Sequence, residues 1–404
     1  MENISHSLAG LAAGELIHRS LPSESDHDQQ RLRRALLLLA CWLASNFPDL
    51  DLILSPLLPK PLGYLLHHRG HTHTLLFILP QALLLWGLIA ALWPAARRLL
   101  RTSAAARKGL ALALLIGPAL HIVMDYLNSY GVHPWYPFDA RWFYGDMVFI
   151  VEPFFWIALG VPLAMSIERR WLRGLWLAAL VGAPLWFTWQ GFLTKGSLAL
   201  LLGSAALLFA TALFNQHRSR VALTLGVLLA VGFVGVQAYA SHRAHRMVAD
   251  SLLRQDPAAR VLDVALSPFP SNSLCWTFVS LEEKTATNRY RLRRGQLSLA
   301  PRLLPVTACP APLSLLGNVA GEDTVADAAI AYVSADYGDL NWLRTLKTGN
   351  CHFAAWLRFA RMPLLEDTHA TDLRFTRNGR DNFSSIDLRK FDDSACSPWV
   401  PNWG

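Results

Sequence analysis

Four runs of apolar sequence decide most of what this chain can fold into. Residues 75–93 (LLFILPQALLLWGLIAALW), 174–194, 196–214 and 221–241 contain no Asp, Glu, Lys or Arg over 19 to 21 positions each. An α-helix needs about 20 such residues to cross the hydrocarbon of a bilayer, because each residue advances it by only about 1.5 Å. Residues 109–124 and 148–167 are also apolar, with polar residues at or near one end. Residues 35–48 are shorter and 3–18 only weakly apolar, so these two read as short spans, re-entrant segments or interfacial helices. No basic segment precedes the first apolar stretch, so it does not read as a signal peptide. Composition agrees: 53% of the 404 residues are hydrophobic and 16% charged, against about 45–50% and about 25% in soluble chains. With 15 Trp, 9 Tyr and 19 Phe the chain is not disordered, and five cysteines are too few for a small disulfide scaffold.

The net charge of +8 records topology. One set of alternate loops carries Arg19, Arg31, Arg33 and Arg34; Arg97, Arg98, Arg101, Arg107 and Lys108; Arg169, Arg170 and Arg173; and Arg218 and Arg220. The opposite loops carry only Lys60, Arg69, Arg141 and Lys195. The positive-inside rule places the first set in the cytoplasm, and no nucleic-acid partner needs to be invoked. After residue 241 the composition changes, with charges throughout and no run long enough to span. Residues 261–267, 275–282, 289–293 and 372–388 are patterned as strands, the last with an Asn378-Gly379 hairpin turn, and 340–347 and 352–362 as helices. The expected architecture is an all-α polytopic membrane domain of about six to eight helices over residues 1–241, then a soluble α+β or mostly β domain over 242–404. Four cysteines, Cys275, Cys309, Cys351 and Cys396, lie in the second domain; an extracytoplasmic location favours two disulfides, with three pairings open.

Ionisable residues beside spanning helices are costly and mark function, and here they are gathered. His6 lies in the first helix, Asp49 and Asp51 follow the second, and His67, His68, Arg69, His71 and His73 precede the third. His121 and Asp125 end the fourth. On the topology above, all of them fall at one depth on the outer face, although none but Arg69 entered the charge count. His121 and Asp125, four apart, share one helical face. Each piece alone has an ordinary reading: a polar helix start, an Asx turn, an interfacial basic segment, an intrahelical hydrogen bond. Their coincidence at one depth points to a metal site. Imidazole and carboxylate ligate zinc and similar divalent ions, and this many donors suits one or two ions. Arg69 beside them could hold a phosphate or carboxylate. Trp135, Tyr136, Trp142, Phe143 and Tyr144 in the following loop suit a membrane interface. His18, His27, His217, His242, His245, His352 and His369 have no such company and read as surface or loop residues.

Ser5-His6, Pro48-Asp49-Leu50-Asp51, His68-Arg69-Gly70-x-Thr72-His73-Thr74 and His121-x-x-x-Asp125 occur in that order. The set resembles the YdjM-like (LexA-binding, inner membrane-associated) metal-dependent hydrolase family over roughly residues 1–160. The resemblance implies a bacterial inner-membrane location and a metal set of His6, Asp49, Asp51, His68, His73, His121 and Asp125. It places Arg69 beside the metal; Arg69 and Asp51 are the catalytic candidates, and one carboxylate would serve as general base, with the choice among them open. Thr74 stands where the family usually has Ser, and His71 falls at a variable position. A looser similarity in site chemistry is to zinc-dependent phospholipase C. The expected function is a membrane-bound hydrolase acting on a phosphoester or lipid-linked substrate at the outer face. The rivals are a metal-ion or proton-coupled transporter and a non-catalytic scaffold with a structural metal. Segments 174–194, 196–214 and 221–241 hold no acidic residue or histidine, which disfavours transport; Glu152 is the lone exception among the later spans.

Overall fold

Helix α1 (Asn3–Ser20) pairs with α2 (His27–Asn46), which runs on as a 3-10 helix (Phe47–Leu57). A short α3 (Leu62–His67) and a 3-10 turn (His71–His73) lead into α4 (Leu75–Leu92), α5 (Pro94–Thr102) and α6 (Ala104–Tyr126). After a long loop come α7 (Pro153–Met165), α8 (Arg170–Trp189), α9 (Lys195–Phe214) and α10 (Arg218–Gln255). This computed structural model describes residues 1–214, 218–284, 287–316, 328–376, 382–391 and 396–401. Among the described residues, five helices are long and apolar enough to cross a membrane: α2 with its extension, α4, α6, α9 and α10. The sequence also expected spans at 174–194 and 148–167, but α8 is not among the five and α7 has only 13 residues. Residues 148–152 stay out of the helix because Pro153 starts it and the buried Glu152 caps it, accepting from the Phe154 amide.

Small residues set the packing at the centre of the bundle. A side chain at Gly10 or Gly14 of α1 would collide with Ser45 or with the Leu37 carbonyl of α2, and one at Gly117 of α6 with Ala44. The three backbones therefore approach closely, as membrane helices do when Gly and Ala line their contacts. The basic loops meet at one end. Glu15 takes both Arg19 and Arg34, and Arg34 also donates to Ser166 beyond α7. Glu24 takes Arg33 and the hydroxyl of Ser103, the α6 cap. Three of the loops that the charge count grouped together are thus joined by their own ion pairs and hydrogen bonds.

The opposite end carries the C-terminal domain. Strands β1 (Arg260–Phe269), β2 (Asn272–Lys284), β3 (Arg289–Ser298) and β4 (Ile330–Asp339) form an antiparallel meander in that order. Alternation along the strands gives the sheet two apolar faces. Val264, Leu266, Trp276 and Phe278 pack on Ala244, Val248 and Leu252 of α10. Ala265, Val279 and Leu292 pack on Met362, Leu364 and Leu373. Residue 241, the expected domain boundary, falls inside the continuous helix α10. Helices α11 (Leu340–Gly349) and α12 (Cys351–Phe359) lie where the sequence expected them. Strands β5 (Pro363–Glu366), β6 (His369–Asp372) and β7 (Ile386–Asp387) make a second antiparallel sheet.

The expected strand pair over 372–388 is only partly formed. Residues Leu373–Phe375 turn as a 3-10 helix because Asp372 caps them, accepting from Arg374; the Asn378-Gly379 turn lies outside the described residues. Cys275 pairs with Cys309 and Cys351 with Cys396, which selects one of the three pairings. Loops of 34 and 45 residues are closed by these bridges. Replacing Cys275 and Cys309 together by Ser should destabilise the C-terminal domain by about 2–5 kcal/mol, read as a lower melting temperature in detergent; an unchanged melt would show that this bridge does not hold the domain.

Candidate metal centre

The site forms where four chain segments end at one level. Pro48 opens the 3-10 helix after α2, and its tight turn sets Asp49 and Asp51 at the bundle rim. Arg69 adopts a left-handed φ of 60°, reversing the chain between α3 and the His71–His73 turn. Thr74 then caps α4: its hydroxyl donates to the His71 carbonyl and accepts from the Phe77 amide, work that the alternative Ser would also do. His121 and Asp125 project together from the last turns of α6.

Asp49, His73, His121 and Asp125 bring one donor atom each within 4.8 Å of one another. The two Nε2 atoms of His73 and His121 are 3.0 Å apart. Asp49 Oδ1 lies 3.5 Å from His73 Nε2 and 3.4 Å from His121 Nε2. Asp125 Oδ2 lies 3.4 Å and 3.5 Å from the same two atoms. A cation held tetrahedrally at about 2.0 Å from nitrogen and oxygen donors sets those donors about 3.3 Å apart, and these edges match that figure. The outer nitrogens fix the rings. His121 Nδ1 donates to the Ser45 carbonyl at 2.7 Å, and His73 Nδ1 lies 3.1 Å from Asp51 Oδ2. Once the rings give up their second proton, as ion binding requires, both arrangements leave Nε2 as the lone-pair nitrogen, as in ligating histidines.

A second set, Asp49, Asp51 and His68, shares Asp49 with the first. His68 Nδ1 is 3.2 Å from Asp51 Oδ1 and 4.0 Å from Asp49 Oδ1. Burial holds the His68 imidazole below its usual pKa against the pull of Asp51, which favours the neutral, ligating form. Burial also lowers the pKa of His73, but the carboxylates of Asp125, Asp49 and Asp51 outweigh it and leave the ring at about 10. That is the field of three clustered carboxylates, and it would hold a cation as readily as a proton. The donor types, spacing and charge fit one or two divalent ions.

His6 belongs to neither set. Its ring stacks on His121 with centroids 3.9 Å apart, and its Nε2 is 3.3 Å from Asp125 Oδ1. Both ring nitrogens are buried and neither forms a hydrogen bond of good geometry. The amine of Met1 also bonds Asp125 Oδ1. His71 packs instead between Phe77 and Tyr136.

Arg69, expected beside the metal as a holder of phosphate or carboxylate, is 2% exposed, and its fork is occupied by the protein. Its NH2 donates to Asp125 Oδ1 at 2.9 Å. Its NH1 donates to the carbonyls of Asp125 and Gly131 and to Asn128 Oδ1. The guanidinium lies 4.4 Å from the centre of the Tyr130 ring. It therefore fixes one oxygen of Asp125 and leaves the other facing the histidines. Asp51 is likewise engaged, accepting from the Thr72 hydroxyl and the Gly70 amide. The set is open only at one edge, where the side chains of Asp49 and His68 are 10% and 12% exposed.

Sequence reasoning missed the supports. Tyr64 stacks on His68, and Asn128, Tyr130 and Gly131 cradle Arg69. The sequence HIVMDYLNSYG shows these as an ordinary helix end and turn. Of the loop aromatics, Trp135 is exposed, but Trp142 packs with Tyr130 and Phe359, and Tyr144 lies under Arg361. His18 and His352, read as surface residues, are buried; His217 lies outside the described residues. Glu152, the acidic exception, accepts from the amide and hydroxyl of Ser271 at the β1–β2 turn and so ties the domains together.

Residues 1–197 match the family model described as YdjM inner membrane protein, in agreement with the resemblance of the motifs. Every residue of both donor sets lies within the match. A protein of Bacillus subtilis (strain 168) described as "Uncharacterized protein YfhP" is 26% identical over 122 residues, 30% of this chain. The chain covers about a third (34%) of that protein's length. No solved structure matches the chain.

Gly131 has φ +89°, and a Cβ there would meet the Tyr144 ring at 2.4 Å. Gly131→Ala should therefore lose about 1–3 kcal/mol of stability, seen as a lower melting temperature. An unchanged melt would mean that the turn cradling Arg69 is not under this constraint.

Proposed function

We propose that this chain, whose first half matches the YdjM inner membrane protein family, is a membrane-bound metal-dependent hydrolase. The observation that carries the reading is the pair of overlapping donor sets. Asp49, His73, His121 and Asp125 would hold one ion; Asp51 and His68 would hold a second, with Asp49 shared. Zinc or a similar divalent ion, when bound, supplies Lewis acidity and brings the pKa of water towards neutrality. The protein's own groups do the rest. Arg69 fixes Asp125, the Ser45 carbonyl fixes His121, and Asp51 aligns His73. A proton released at the open edge would pass to one of the carboxylates there, Asp49 or Asp51. His6, buried with its Nε2 3.3 Å from Asp125 Oδ1, stands beside the set without belonging to it.

The mouth favours an amphiphilic substrate. The 3-10 helix that carries Asp49 and Asp51 also exposes Leu50, Leu52, Ile53, Leu54 and Leu57, with Ile53 73% exposed. An apolar surface beside a cation-binding pocket at the end of a spanning helix suits a phosphoester whose other half sits in the lipid, such as a phospholipid or a lipid-linked phosphate. The excess of Lys and Arg at the opposite end supports an extracytoplasmic site and C-terminal domain. Two disulfides fit an oxidising compartment.

Purified full-length protein should carry about one to two divalent ions per chain. Asp49→Asn should lose both while still inserting in the membrane. Metal analysis with a hydrolysis screen over phosphoesters, lipids and amides tests this; metal-free wild-type protein after gentle purification would end the hydrolase reading. A reporter fused after residue 404 should read as extracytoplasmic; a cytoplasmic signal would invert the orientation and move the site to the other leaflet.

A further inference from the structure

The family match ends at residue 197, yet a residue far beyond it reaches the back of the metal centre. Arg374 stands in the 3-10 turn after β6, with its side chain 1% exposed. Its Nε and NH2 grip Asp372, and NH2 also donates to the Phe359 carbonyl. The remaining nitrogen, NH1, leaves the C-terminal domain and donates to the Ser129 carbonyl at 2.7 Å and the Tyr130 carbonyl at 3.4 Å. These are the residues next to the cradle of Arg69. Asn128 Oδ1 accepts from the Tyr130 amide and from Arg69, the Tyr130 ring lies against Arg69, and the Gly131 carbonyl accepts from it. One short loop is thus held by Arg374 from outside and by Arg69 from within.

We propose that the C-terminal domain is a working part of the metal centre, with Arg374 as a positioning residue that holds the Ser129–Gly131 loop so that Arg69 can fix Asp125. The inference rests on the metal reading above and adds a role for residues the family match does not cover. The chemistry favours arginine at both ends. A planar fork can satisfy a carboxylate and several carbonyls at once, which an ammonium cannot. The other arginine of this interface makes a useful contrast. Arg361 bridges Asp146 and Asp263, and so joins the same two domains without touching the cradle. A general loosening of the interface would follow from either substitution; a change at the metal would follow only from that at Arg374.

The experiment uses the full-length protein in detergent, stripped of metal and reloaded with Co²⁺, with affinity and the visible absorption spectrum as readouts. Arg374→Lys keeps a charge beside Asp372 but loses the fork. It should weaken Co²⁺ binding about tenfold, the usual scale for a group that orients a ligand, and alter the spectrum. Arg361→Lys should leave both unchanged. Arg69→Lys should reproduce the Arg374→Lys effect, and the double variant should add little to either, because Arg374 acts on Asp125 through Arg69. Should Arg374→Lys fail to fold, the paired variant Asp372→Asn with Arg374→Gln removes both buried charges together and serves in its place. An unchanged spectrum and affinity in a folded Arg374 variant would overturn the proposal, as would equal effects from Arg361→Lys. Wild-type protein that takes up no Co²⁺ would instead remove the metal reading itself, and this inference with it.

Discussion

Three carboxylates and three imidazoles packed at the end of an apolar helix bundle are the constraint that organises this protein. Asp49, Asp51 and Asp125 are each costly to hold out of water, and a buried charge survives only when it is paired and hydrogen-bonded. The surroundings supply the compensation group by group. Asp125 receives Arg69, Asp51 receives a hydroxyl and a backbone amide, and His121 is oriented by a carbonyl of α2. The tight contact of α1, α2 and α6 through Gly10, Gly14 and Gly117 brings these partners within reach. Bulkier residues at those positions would separate the helices and, with them, the donors.

The same logic explains why the C-terminal domain is seated on the bundle. Besides the packing on α10, its contacts fall on α3 and on the loop between α6 and α7, immediately behind the donors. Leu58, Leu62, Leu65 and Leu66 of the membrane part share a core with Phe353, Trp356 and Phe359. Around that core, Ser271 meets Glu152, Arg361 meets Asp146, and Arg374 meets the 129–130 carbonyls. Apolar burial supplies most of the attraction, while the ion pairs fix register. Burial pushes the Asp146 carboxyl up and Arg361 pulls it down, as expected of a pair enclosed by the interface. A domain held at three places along that loop, and by an apolar core beside it, is well placed to keep the loop still.

The spans and the donors were legible in the sequence for the same reason: both are local patterns. Twenty uncharged apolar residues make a helix in lipid whatever their neighbours, and His121 and Asp125 share a face because helical geometry puts them there. The first three strands after residue 260 were legible through their alternation, while β4 and β5 were not read. What misled was chemistry with a distant cause. Residues 148–152 look like the start of a span, but Glu152 is turned to a hairpin 119 residues away. Arg69 looks like a free anion clamp, but it is turned inward onto Asp125, 56 residues on. Tyr144 looks like part of an aromatic belt, but an arginine from the second domain covers it.

By itself the sequence settled that the first part of the chain is a bundle of apolar helices, that a patterned domain follows it, and that histidines and aspartates gather at one depth. Hydropathy, period and charge placement are properties of neighbouring residues, and they survive without knowledge of the fold. The tertiary structure alone decided that Asp49 is common to both donor sets, that Cys275 meets Cys309 and Cys351 meets Cys396, and that Arg374 stands behind Arg69. Each of these joins residues far apart in the chain, and which distant residues meet depends on how whole helices and sheets pack, for which no local pattern carries a signal.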